Sequence, residues 1–290
     1  MQRDRHRAWL TGLQNPDGGF SGREGESDLY YTGFALRSLA ILQGLEPDLC
    51  VRCAGFLSTR LSAPASVIDL FSLLVSRFLV ILGGGPDVFD SSGPDWPVRV
   101  TELLESFRTP DGGYGRSAES RYGSTYVSFL NLLAMELLER PPLRLDELHL
   151  FVESRRREDG GYVEIAPMKR SATNPTAAAV GIFRMTGRLT PEVISSVVDF
   201  LEELPSDEGG YRAHDRIPFA DLLSTFTAAW TLDDLGAGDR LDPARLRRFA
   251  LSLEQKTGGF HAGTLDEVAD VEYTFYGLGL LSLLTHYTRN

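Results

Sequence analysis

Four apolar segments of this chain open on a carboxylate. They are Asp28 in ESDLYYT, Asp69 in VIDLF, Asp221 in ADLLSTF and Asp270 in DVEYT, where Glu272 and Tyr273 follow within one turn. A carboxyl group at the edge of an apolar space has two chemical uses. Burial raises its pKa, so that it can carry a proton to or from a substrate; ionised, it can ligate a metal. It also has a structural use, because aspartate accepts hydrogen bonds from the free N–H groups at a helix N-terminus. Recurrence in four segments favours capping as the common role. Asp28, Asp221, Glu272 and Tyr273 remain the catalytic candidates, and Glu272 leads them if it is buried with a raised pKa.

Cations gather in the polar stretches before the apolar segments: Arg23, Arg116, Arg121, Lys169, Arg170, His214 and Arg216. They are either solvated loop charges or a set that binds an anion. The apolar segments carry the aromatics Tyr30, Tyr31, Phe34, Phe71, Tyr126, Phe129, Phe226, Trp230, Tyr273, Phe275 and Tyr276. Neighbours such as Tyr30/Tyr31 and Phe275/Tyr276 are expected to point different ways, part into an interior space and part between helices. Cys50 and Cys53 form a lone C-x-x-C with no second pair and no nearby histidine, which reads as two ordinary thiols and a reducing, cytoplasmic setting. A net charge of −11, from 29 basic and 40 acidic residues, argues against nucleic acid as a partner. The first residues, MQRDRHRAWL, lack an apolar signal core. The longest apolar run, Val67 to Leu82, is broken by Asp69, Ser72, Ser76 and Arg77, so it reads as a buried helix with at most peripheral membrane contact.

These residues need elements to hold them, and the elements repeat. QNPDGGF, TPDGGY, REDGGY, SDEGGY and QKTGGF place a glycine pair at Gly18, Gly112, Gly160, Gly209 and Gly258, the last four 48, 49 and 49 residues apart. The first gap is two periods long, so a degenerate sixth copy belongs near residue 65, in SAPASVIDLFSLL. Each unit reads as an amphipathic helix, a Gly-Gly turn that allows positive φ where the first helix ends, about ten polar residues and a second, more apolar helix. The aromatic after each turn is expected to pack between units. Twelve helices in six pairs fit an all-α ring, an (α/α)6 toroid spanning 1–290 as one domain. Inner helices should open near residues 28, 69, 122, 173, 221 and 271. The apolar last helix, YTFYGLGLLSLL, needs a neighbour, which ring closure supplies and an open solenoid does not.

The period, the DGGF/Y turns and the polar gap before each apolar helix resemble the αα-toroid superfamily of protein prenyltransferase β subunits and class II terpene cyclases. The last unit, GGFHAGTLDEVADVEYTFYGLGLLSLL, is similar to the final repeat of a geranylgeranyltransferase β subunit. That resemblance implies an isoprenoid substrate, a separate helical α subunit and a thiol-activating zinc held by D-x-C and by the His of D-x-x-H-T. Here Asp221 is kept, but Leu223 stands at the Cys position and Tyr273 at the His position, so two of the three ligands are replaced and zinc is not expected. Nor does D-x-D-D, the acid motif of the cyclases, occur. The resemblance places a diphosphate in the fifth gap, where His214 and Arg216 are the nearest counterparts; Mg2+ could accompany such a group. With inner-helix N-termini converging on one rim, the expectation is an apolar tunnel with a cationic mouth. The alternatives are a lipid or isoprenoid binder without catalysis and a toroidal interaction module. The substrate-binding candidates are His214, Arg216, Lys169, Arg170 and Arg121 at the rim, with Tyr30, Tyr31, Tyr126, Phe226, Trp230 and Tyr276 on the walls.

Overall fold

A computed structural model describes residues 2–62 and 66–288. Amphipathic helices α1 (Arg3–Gly12), α3 (Pro47–Arg60), α5 (Trp96–Ser106), α7 (Leu145–Glu153), α9 (Pro191–Glu202) and α11 (Pro243–Ser252) form an outer layer. They alternate with the inner helices α2 (Leu29–Ile41), α4 (Val67–Leu82), α6 (Thr125–Leu137), α8 (Thr173–Met185), α10 (Leu222–Asp234) and α12 (Val271–Leu283). Each inner helix packs on the next, and α12 packs on α2, which closes an αα-toroid. The third inner helix starts at Thr125, three residues later than its sequence pattern suggests, because Ser124 caps it. Among the described residues β structure is limited to isolated bridges: some, such as Arg108 with Tyr114, close a turn, and others, such as Phe20 with Asp28, pin it to the head of the inner helix. No helix of the described residues is long and apolar enough to cross a membrane.

The turn glycines work differently from helix ends. Helix α5 finishes at Ser106, and Gly112 then closes a separate tight turn. Its N–H donates to the Thr109 carbonyl (3.0 Å), and Thr109 N–H donates to the Gly113 carbonyl (2.9 Å). Gly112 has φ +88°, and a Cβ there would stand 2.7 Å from the Glu147 carbonyl oxygen of α7, the outer helix of the next unit. The turn is thus a docking surface between units, which explains why two glycines are needed. The second glycine lies under an aromatic ring of that next outer helix: Gly19 under Phe56, Gly161 under Phe200, Gly210 under Phe249. In the last unit Gly258 (φ +112°) and Gly259 meet Trp9 of α1, so the sixth unit docks on the first. The degenerate turn near residue 65 falls on residues 63–65, outside those described. The aromatics after the turns, Phe20, Tyr114, Tyr162, Tyr211 and Phe260, are all buried; Phe260 stacks on His6 of the first unit, and Tyr162 packs on Phe183 of its own inner helix.

Ring closure also has a polar clasp. Arg5 and His6 of α1 both donate to Glu254, the His6 Nε2 at 2.8 Å, while His6 Nδ1 accepts the Gly259 N–H at 3.0 Å. Arg23, before α2, pairs with Asp266 and Asp270 of the last unit. The two cysteines are free and buried on α3; Cys53 donates to the Gly18 carbonyl (3.1 Å), and burial pushes its thiol up to about 12.

Candidate functional site

The carboxylates near the heads of the inner helices divide into three caps and two that lie beyond a cap, Asp69 and Glu272. Asp28, Asp221 and Asp270 accept the N–H of Tyr31 (2.7 Å), Ser224 (2.7 Å) and Tyr273 (2.8 Å), which satisfies donors the helix leaves free. Asp69 is not a cap, contrary to its sequence reading. Ser66 caps α4, and Asp69, one turn in, accepts the Ser66 hydroxyl at 2.8 Å. Asp221 also accepts the Ser224 hydroxyl (2.7 Å), and burial raises its pKa. Glu272 sits at the seam of α12 and α2, where its Oε1 accepts the Tyr30 hydroxyl at 2.7 Å and stands 3.4 Å from the Tyr276 hydroxyl. Burial raises its pKa above the usual glutamate range, and those phenols oppose the shift only in part.

Inside the ring lies a cavity of about 510 Å³. It runs from the first turns of the inner helices, at Tyr126, Asn174 and Leu223, to their last turns, at Trp230, Asp234 and Ser282. Its walls are aromatic: Phe34, Phe71, Tyr126, Phe129, Phe226, Trp230, Phe275 and Tyr276. Phe275 and Tyr276 both reach it, although adjacent residues were expected to diverge. They lie about 100° apart around a helix axis, and both fall within the arc that α12 turns to a wide cavity. Tyr30 and Tyr31 do not line it: Tyr30 is turned to Glu272, and the Tyr31 ring stands over Gly22 in the rim loop.

None of the rim cations is on the cavity wall. Arg170 pairs with Asp215, and His214 Nδ1 accepts the Arg216 N–H (3.2 Å). Lys169, Arg216 and Arg121 are exposed on their loops, Arg121 beside the Tyr122 ring.

Two residues were missed. Glu164 occupies a gap position filled by Ala213 and Ala262 in the next two units. It accepts the Ser124 hydroxyl and the Tyr126 N–H (3.3 Å), and burial raises its pKa. Arg37 projects from the third turn of α2 into the cavity. Its signal in the sequence is a single cation in an otherwise apolar inner helix. Arg77 and Arg184 share that signal, but they pair with Asp87 and Asp234.

The donors at the position of the prenyltransferase zinc do not suit that metal. Leu223 offers no lone pair, burial holds the Tyr273 phenol up at about 12 so that it keeps its proton, and Asp221 is engaged by Ser224. Among the described residues no group of three or more His, Cys, Asp or Glu side chains is placed to hold a metal ion.

A family model described as the prenyltransferase alpha-alpha toroid domain matches residues 1–61 and 87–290. The interval between the two segments contains α4, whose preceding turn has lost its glycines. No curated protein matches the sequence. Among solved structures, protein geranylgeranyltransferase-I of Candida albicans, complexed with GGPP, is 15% identical with a TM-score of 0.76, over 99% of this chain and 92% of that one. The type II terpene cyclase MstE from Scytonema, in complex with geranylgeranyl dihydroxybenzoate, is 13% identical with a TM-score of 0.65, over 98% and 95%. A glycosidase is 14% identical with a TM-score of 0.63, over 98% and 96%. Identities this low establish a shared architecture, and the glycosidase demonstrates that the architecture carries more than one chemistry.

Proposed function

The chain belongs to the prenyltransferase alpha-alpha toroid domain family, and from that membership we propose that it handles an isoprenoid, a prenyl diphosphate or a terpenoid, without a thiol-activating zinc. The observation that carries this reading is the cavity: about 510 Å³, walled by aromatic rings from five of the six inner helices and by small apolar residues of α8. Such a space buries a branched hydrocarbon chain, and ring faces stabilise positive charge that develops along it. That geranylgeranyltransferase-I and MstE hold geranylgeranyl compounds in the same architecture supports the same ligand class here. The exposed rim cations Arg121, Lys169 and Arg216, with His214, would meet a diphosphate at the mouth, with Mg2+ as its counterion.

Glu272 is the acid–base candidate of this reading, because the Tyr276 hydroxyl joins it to the wall. Asp28 and Asp221 act as caps. A second reading, a binder without catalysis, rests on that same loss of free acids and on Leu223 and Tyr273 in place of metal ligands.

The test is native mass spectrometry and tryptophan-fluorescence titration with farnesyl diphosphate, geranylgeranyl diphosphate and geranylgeraniol. A one-to-one adduct is expected, with quenching that disappears in Trp230→Phe. Absence of an adduct with all three compounds would overturn the isoprenoid reading. Binding with no product released over long incubation, with and without Mg2+, favours the binder.

A further inference from the structure

Of the three arginines on inner helices, two have carboxylate partners and one does not. Arg77 and Arg184 are ion-paired. Arg37 has no ion pair among the described residues, although it is half-buried and seated at the cavity wall. Its Nε donates to the Gly33 carbonyl at 3.1 Å, which leaves both Nη groups without a protein acceptor among the described residues. The Phe34 and Phe275 rings lie 4.0 and 4.7 Å from its Cζ and 5.5 Å from each other, so both pack against one side of the guanidinium. The free donors point along the guanidinium edge. Guanidinium keeps its charge under any physiological condition, and an enclosed charge with no anion is costly. Among the described residues the other acidic and basic side chains on the wall are Asp234, which pairs with Arg184, and His286.

Building on the isoprenoid reading of this cavity, we propose that Arg37 is an anion site inside the barrel and that the ligand carries a carboxylate head. The carboxylate would dock on the Arg37 edge while its apolar chain lies along Phe129, Phe226 and Trp230. Charge and shape select this head group. A planar monoanion matches two parallel guanidinium donors and cancels one positive charge. A diphosphate would bring at least two negative charges to one guanidinium, with Glu272 near by and, among the described residues, His286 as the other basic side chain on the wall. The phenols of Tyr126 and Tyr276, both on the wall and both raised well out of reach of ionisation by burial, are neutral neighbours for such a head.

The experiment is a calorimetric titration at pH 7.5 with farnesoic acid, farnesol, farnesyl diphosphate and dodecanoic acid. Farnesoic acid is expected to bind at least about tenfold more tightly than farnesol, the effect of a charge-assisted contact. In Arg37→Leu that advantage should vanish while farnesol affinity stays within about threefold, and Arg37→Lys should keep part of it. Equal affinity for acid and alcohol in the parent protein, a comparison that depends on no variant, would overturn the anion site. So would a diphosphate that binds most tightly and is indifferent to Arg37→Leu. Arg37-dependent binding of dodecanoic acid with no binding of any farnesyl compound would keep the anion site and reject the isoprenoid reading. Farnesol binding without an acid preference would do the reverse.

Discussion

A carboxyl group that loses water holds its proton longer, and Glu272 loses water to the seam between α2 and α12. Since its pKa is raised in the fold, the native state binds more protons than the unfolded chain as pH rises above the ordinary glutamate value. Its contribution to stability is present at acid pH and is lost as pH climbs towards the folded pKa. Glu272→Gln is thus expected to match the parent in melting temperature near pH 4 and to exceed it at pH 7.5. A variant that falls behind the parent as pH rises would identify Glu272 as a stabilising anion instead. The same substitution weighs its chemistry, because it keeps shape and removes the proton. Turnover equal to the parent, on any substrate found, would retire Glu272 as a catalyst and leave it a seam residue bonded to Tyr30.

At the scale of the elements, the Gly-Gly turn is an intermolecular-style contact folded into one chain: backbone of one unit against backbone and aromatic ring of the next. Gly112→Ala adds a Cβ at positive φ and presses it on the α7 backbone, so a loss of more than about 2 kcal/mol is expected in urea unfolding. Gly55→Ala is the control. Gly55 is exposed within α3, and a Cβ there meets nothing within 4 Å, so a gain of about 0.5–1 kcal/mol is expected. Similar small changes at both sites would show that the turn glycines are not what holds adjacent units together. The inner helices show the complementary rule. Five of the six have a side-chain cap, α8 with Ala172 being the exception, so an acid at the cap position is spent on backbone N–H groups, whereas Glu272 lies beyond the cap.

At the scale of the whole molecule, closure depends on α1 as the outer helix against which the last turn docks. His6 is neutral there: burial lowers its pKa below the usual 6.5, and Nδ1 must stay unprotonated to accept the Gly259 N–H. The unfolded chain therefore takes up the proton first, and this contribution to closure is lost as pH falls through 6.5 towards the lower folded value. Hydrogen exchange should report it as a lower protection factor for residues 258–260 at pH 5 than at pH 7.5, with protection at the Gly160 turn unchanged. Removal of residues 2–13 should unprotect the same segment at both pH values. Equal protection of both turns under all these conditions would mean that the first and last units are not coupled through α1.

The sequence alone determined the architecture. Five glycine pairs, the last four 48 or 49 residues apart and the first two periods earlier, set a unit geometry with room for six copies, and an apolar last helix has no low-energy end except closure. It also shows that Leu223 and Tyr273 stand where the resemblance puts the family's Cys and His, neither of them a zinc donor of that kind wherever it is placed. What it left open was direction. Rim cations and wall cations look alike in a linear string; only the tertiary structure sends Arg216, Lys169 and Arg121 out to solvent and Arg37 inward. Likewise Asp28, Asp221 and Glu272 are all acids near a helix start, and the difference between a cap and a carboxyl group turned into the seam is one or two residues of helical phase. Repetition is legible because it depends on spacing along the chain. Charge pairing and burial are not, because they depend on neighbours that arrive from units about 40 or 240 residues away, and only the closed ring brings those together.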